Sequence, residues 1–200
     1  MEKKTYIPPN LFFNGQLQTI YPALFRKIKL LTPYIHERIM TQDQDFLDLF
    51  WMKQKNKKLV IISHGLEGNA DRTYVRGMAN AHFSEGFDVL AWNYRGCSEQ
   101  INNLPKMYHS GATEDLLAVV NHAEKDYHEI YLIGFSLGAN LTLKFLGEQG
   151  AYKKVKKAYA IAAPLDLKSG SLHLNTPKNY LYQRRFMRSL KKKACAKHAQ

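Results

Sequence analysis

Four short apolar runs separated by stretches with helical spacing constrain this chain more than any other feature. Leu59 to Ser63 (LVIIS) is a continuous apolar run of the kind that lies buried on both faces of a parallel sheet. FDVLAWNY, EIYLIGF and VKKAYAIAA follow it as further strands. Between them, residues 69–83 set Tyr74, Met78, Ala81 and Phe83 at helical spacing, with Gly86 closing the helix. After Gly111, Thr113-Glu114-Asp115 opens a second helix whose apolar side is Leu116, Leu117, Val120 and Ala123, and residues 139–148 read as a third. Strands separated by helices of about 10 to 15 residues imply right-handed crossovers. The expected class is α/β, a mostly parallel sheet with helices on both faces. Upstream, an arm with two proline breaks ends in a short helical stretch, and YIHERIMT and DFLDLFWMKQ read as an antiparallel pair at the sheet edge.

Composition narrows the functional classes. A chain of 200 residues that is 45% hydrophobic can bury one real core, so residues 1–200 are expected to form a single domain. No window holds the roughly 18 apolar residues of a membrane span, and MEKKTYIPPN lacks the apolar centre of a signal peptide, which predicts a cytoplasmic protein. Cys97 and Cys195 stand far apart with no metal-ligand spacing around them, so reduced thiols are expected, with neither a disulfide scaffold nor a metal site. The net charge of +12 concentrates after residue 150, in AYKKVKKAY and QRRFMRSLKKKACAKHA, without a nucleic-acid motif beside it. A solvated basic face, or weak contact with an anionic membrane surface, fits this better than nucleic-acid binding.

The chemistry centres on Ile133-Gly134-Phe135-Ser136-Leu137-Gly138-Ala139. Glycines weaken a strand, so a pair flanking one serine between a strand and a helix marks a forced turn that exposes the hydroxyl at the strand's carboxyl end. Ser136 is thereby the candidate nucleophile. An oxyanion formed by its attack needs donors: the backbone N–H of Leu137 at a helix start, and that of Leu66 in the loop Ser63-His64-Gly65-Leu66-Glu67-Gly68. Gly65 permits close approach there, and His64 reads as a residue that shapes the loop rather than as the base. Arg95 and Gly96 follow a strand's carboxyl end, where ligands of open sheets gather, and read equally as pocket lining or as a turn with a charged rim.

SHGLEGN at 63–69, NYRGCS at 93–98, GFSLGAN at 134–140 and NGQLQTIYP at 14–22 together resemble the YheT-like branch of the α/β-hydrolases, a group of predicted serine esterases. The resemblance runs from about residue 11 to about residue 193. It implies an α/β-hydrolase fold, hydrolysis of carboxylic esters, a Ser-Asp-His triad and no cofactor. With Ser136 as nucleophile the reaction is expected to pass through an acyl-enzyme, and because nothing in the sequence marks a polar specificity pocket, the expected substrate is a small-molecule ester with a short to medium acyl chain.

In that family the acid and the histidine follow strands later than those found here. The sequence therefore reads as the N-terminal two-thirds of an esterase, with residues from about 165 to 200 as the start of a lid or cap. Within it, Asp166 and His173 are the candidate substitutes for acid and base, although Asp166 reads first as a structural loop residue and His173 as a surface histidine. His198 is expected at a frayed end. The competing reading is a truncated hydrolase fold that is catalytically weak or inactive.

Overall fold

The computed structural model describes residues 7–150 and 152–198. The first residues of the segment read for a signal peptide, 1–6, and Ala151 at the head of the first basic run lie outside the described residues. The elements in chain order are α1 (Gly15–Phe25), β1 (Ile35–Met40), β2 (Phe46–Met52), β3 (Lys58–Ser63), α2 (Thr73–Ser84), β4 (Asp88–Asn93), α3 (Thr113–Ala123), β5 (Glu129–Phe135), α4 (Leu137–Gln149), β6 (Val155–Ile161), α5 (Leu167–Leu174), a short 3-10 turn (Pro177–Asn179) and α6 (Tyr180–His198).

The strands form one sheet in the order β1-β2-β4-β3-β5-β6. β1 and β2 are antiparallel to each other, β2 is antiparallel to β4, and β4, β3, β5 and β6 run parallel. Successive side chains of a strand point to opposite faces, and β3 uses this to feed two cores. Leu59 and Ile61 pack with Leu116 and Val120 of α3 and Phe145 of α4. Val60 and Ile62 pack on the other face with Val75 and Ala79 of α2. Helices thus cover both faces, as the continuous apolar run of β3 requires.

The topology positions the site. β3 leads through α2 to β4 on one side of it, whereas β5 leads through α4 to β6 on the other. Two neighbouring parallel strands whose connections diverge leave a crevice outside their carboxyl ends, the place where open α/β sheets bind ligands. Ser63 of β3 is paired with Gly134 of β5, so the loop after Ser63 and the turn at Ser136 emerge side by side.

Two helix starts differ from the sequence reading. α2 begins at Thr73 instead of near residue 69, because Asn93 at the end of β4 accepts the Ala70 N–H (2.8 Å) and Arg72 N–H closes a turn on the Asn69 carbonyl. α4 begins at Leu137, directly after Ser136. The basic α6 has no buried residue. It docks through polar groups: Tyr182 on Gln16, Ser189 and Lys193 on Glu67, and Lys197 on the carbonyls of Asn102 and Leu104. Among the described residues, no helix is long and apolar enough to cross a membrane.

Candidate active site

Ser136 is exposed and carries φ 51° and ψ −113°, a backbone region that residues other than glycine avoid. This strain comes from turning directly out of β5 into α4, and the surroundings enforce it. Ser136 N–H donates to the Ile161 carbonyl of β6 (2.9 Å), while its own carbonyl accepts from Ala139 (3.0 Å) and Asn140 (3.1 Å). The flanking glycines are required by close packing. A β-carbon on Gly138 would lie 2.5 Å from the carbonyl oxygens of Ser63 and His64, and one on Gly134 would overlap the Gly138 carbonyl. β5, α4 and the loop after β3 therefore meet at backbone contact around the serine.

Two donors are uncommitted beside it. Leu137 is the first residue of α4, where the N–H groups of a helix have no partner within the helix and the helix dipole favours negative charge. Among the described residues, neither Leu137 N–H nor Leu66 N–H has a hydrogen-bond acceptor. The loop carrying Leu66 is close: a β-carbon on Gly65 would stand 3.3 Å from Ser136 Cβ. Gly65 N–H is itself engaged, donating to the Tyr74 hydroxyl (2.9 Å).

The loop is braced by Glu67, whose φ of 54° is again in the left-handed region. Its carboxylate, only 7% exposed, accepts from the Tyr108 hydroxyl (2.6 Å), the Ser189 hydroxyl and the Lys193 ammonium (2.9 Å). The Glu67 N–H returns a bond to Tyr108 Oη (2.9 Å). Burial opposes ionisation of Glu67, yet the bonds from Ser189, Tyr108 and Lys193 outweigh it and hold the carboxyl below its ordinary range. Lys193 Nζ also lies 3.2 Å from Cys97 Sγ, but burial still pushes that thiol up to about 11, so it stays protonated. Sequence reading missed Tyr74, Tyr108 and Lys193. Tyr74 occupies a helical apolar position, and the other two reach Glu67 from 41 and 126 residues away.

His64 is buried, 1% exposed, and its Nδ1 is 2.8 Å from the Gly65 carbonyl. Burial lowers its pKa to about 3, and its ring lies tilted against that of Tyr94, with centroids 4.0 Å apart. A neutral, enclosed imidazole of this kind shapes the loop and is a poor base. Asp166 caps α5, accepting the Ser169 N–H (2.9 Å), and His173 is an exposed residue of the same helix. Among the described residues no hydrogen bond joins Asp166 to His173 or either to Ser136, so the structure does not bring them together. His198 is the last residue of α6. Arg95 is buried and spent on Asp115 (2.7 Å), Asp43 (2.7 Å) and Asp45 (3.1 Å). It borders a cavity beside α3 that includes neither Ser136 nor the loop of Leu66. Among the described residues no group of three or more His, Cys, Asp or Glu is placed to hold a metal ion.

Residues 58–193 match the family model described as the alpha/beta hydrolase fold. The chain is 32% identical over 200 residues to YheT of Escherichia coli (strain K12), which bears the name of an esterase; the match covers 97% of this chain and 58% of that protein. It is 32% identical over 123 residues to a monoacylglycerol lipase of Saccharomyces cerevisiae, covering 60% of this chain and 27% of the lipase. Among solved structures, the Pyrococcus furiosus esterase Pf2001 superposes with a TM-score of 0.58 at 27% identity, covering 75% of this chain and 60% of that one.

Proposed function

Because this chain belongs to the α/β-hydrolase family, we propose that it is the nucleophile-bearing part of a serine esterase acting on small carboxylic esters with short to medium acyl chains. The observation that carries the reading is the strained, exposed Ser136 at the crevice between β3 and β5, with the N–H groups of Leu137 and Leu66, which have no acceptor among the described residues, beside it. Ser136 Oγ attacks the ester carbonyl carbon, and the two N–H groups receive the charge that develops on the carbonyl oxygen. The alcohol leaves with a proton, and water then attacks the Ser136 acyl ester to release the acid. Gly65 and His64 keep the oxyanion loop in place. Within these 200 residues Asp166 and His173 are the first candidates for acid and base.

A second reading is favoured by one specific feature: among the described residues no histidine is hydrogen-bonded to Ser136, so the scaffold stands with an unactivated nucleophile. In either case the basic face of α6 suits weak attraction to anionic membrane surfaces, and no nucleic acid is needed. The two readings separate by intact-mass detection of fluorophosphonate labelling beside a Ser136→Ala control. Labelling lost in the control supports the esterase; a folded chain that stays unlabelled supports the unpowered scaffold.

A further inference from the structure

A cavity of about 390 Å³ opens between the end of α1, the oxyanion loop and α6. Leu66, Gly68 and Tyr74 belong to its wall, and the Tyr74 hydroxyl is the group that accepts from Gly65 N–H, next to Ser136. Its apolar floor includes Leu66 and Phe186, and three arginines line it: Arg26, Arg72 and Arg185.

These arginines come from three separate parts of the fold: just past α1, just before α2, and on α6. Among the described residues none of the three has a carboxylate within ion-pair distance; Arg72 gives one bond to the Glu67 carbonyl (2.7 Å). The two acids of the lining are already matched, Asp71 by Arg76 (2.6 Å) and Glu67 by Lys193 (2.9 Å). Guanidinium forks gathered over an apolar floor match the planar oxygens of a carboxylate or phosphate, where a solvated ammonium would act only as a point charge.

We propose that this cavity binds an anionic group of the substrate, so that Ser136 acts on esters whose acyl or alcohol part ends in a phosphate or carboxylate. The inference rests on Ser136 being the nucleophile, but the cavity's preference for an anion can be measured without turnover. Hexyl phosphate and 1-hexanol are titrated calorimetrically into the full chain, into Arg26→Gln/Arg185→Gln, and into Lys191→Gln/Lys192→Gln, with circular dichroism checking that each is folded. Charge-assisted bonds to two arginines predict that hexyl phosphate binds at least about tenfold more tightly than hexanol, and that the arginine pair removes this advantage. The lysine pair, on α6 but outside the cavity, should leave it within about twofold. Hexyl phosphate should also slow fluorophosphonate labelling of Ser136.

Equal affinity for the two ligands overturns the proposal, as does an equal loss in the lysine pair, which would indicate general attraction to a basic helix. Binding confined to phosphatidylglycerol vesicles overturns it in favour of a membrane surface. If Ser136 is never labelled while the arginine-dependent preference persists, the esterase reading fails and the anion site stands; labelling without any anion preference is the reverse.

Discussion

Replacing Glu67 with glutamine keeps the shape of the brace and removes its charge. In the native chain Oε1 accepts from both Tyr108 and Lys193, and Oε2 accepts from Ser189. An amide oxygen turned toward Tyr108 keeps those two bonds as neutral-acceptor bonds, while the amide nitrogen can donate to Ser189, so the loss falls mainly on the ion pair. Bonds to charged groups contribute about 1.5 to 3 kcal/mol, roughly twice the neutral value. Lys193 is 18% exposed and can recover some solvation, which argues for the middle of the range. The expected destabilisation of Glu67→Gln is about 2 kcal/mol at neutral pH, read as the shift of the urea midpoint at constant slope. The pH dependence fixes the cause. Glu67 has a folded pKa below its unfolded value, so its contribution is complete above the unfolded value of about 4.5 and disappears as pH falls through the folded value. The difference between native and variant should therefore be flat from pH 8 to about 5 and shrink below that. A cycle with Lys193→Met should recover about 1 to 2 kcal/mol of coupling. A difference under about 0.5 kcal/mol, or one equally large at pH 3, would refute the reasoning.

Three further outcomes follow from the same geometry. Gly138→Ala places a β-carbon 2.5 Å from two carbonyl oxygens in a backbone that cannot retreat, and should lower stability by at least about 3 kcal/mol in thermal melts and abolish labelling of Ser136. Ser136→Gly relieves the strain at φ 51° and should raise stability by about 1 kcal/mol in urea unfolding while ending all labelling. Arg95→Met leaves the buried carboxylates of Asp45 and Asp115 without their cation, and should cost about 3 to 5 kcal/mol in the same assay.

The frame was legible because its signals are local. LVIIS read as a strand covered on both faces, and its alternate residues do feed two cores. The glycines around Ser136 announced a close approach, and at both a β-carbon would collide with neighbouring backbone. What escaped the sequence was long-range pairing. Arg95 stood at the end of a strand where ligands gather, and nothing nearby announced that Asp43 and Asp45, some 50 residues earlier, would take its charge. Glu67 looked like one more residue of a turn because its partners come from α6 and from the loop before α3. The candidate acid and base are the least legible part: His173 lies on α5, and Asp166 spends its carboxylate on capping that helix.

α6 buries no side chain fully and is held largely by polar anchors, and this gives the molecule two tiers of opening. Amides in β3 and β5, enclosed on both faces, exchange with solvent only when the whole domain unfolds. α6 can lift away on its own, more readily as salt screens the pair of Lys193 and Glu67. When it lifts, Arg185 and Phe186 leave the cavity wall in the same movement that takes Lys193 and Ser189 from Glu67. Dismantling the cavity and loosening the loop beside the serine are then a single event, so the arginine-lined cavity and the braced loop are kept or lost together.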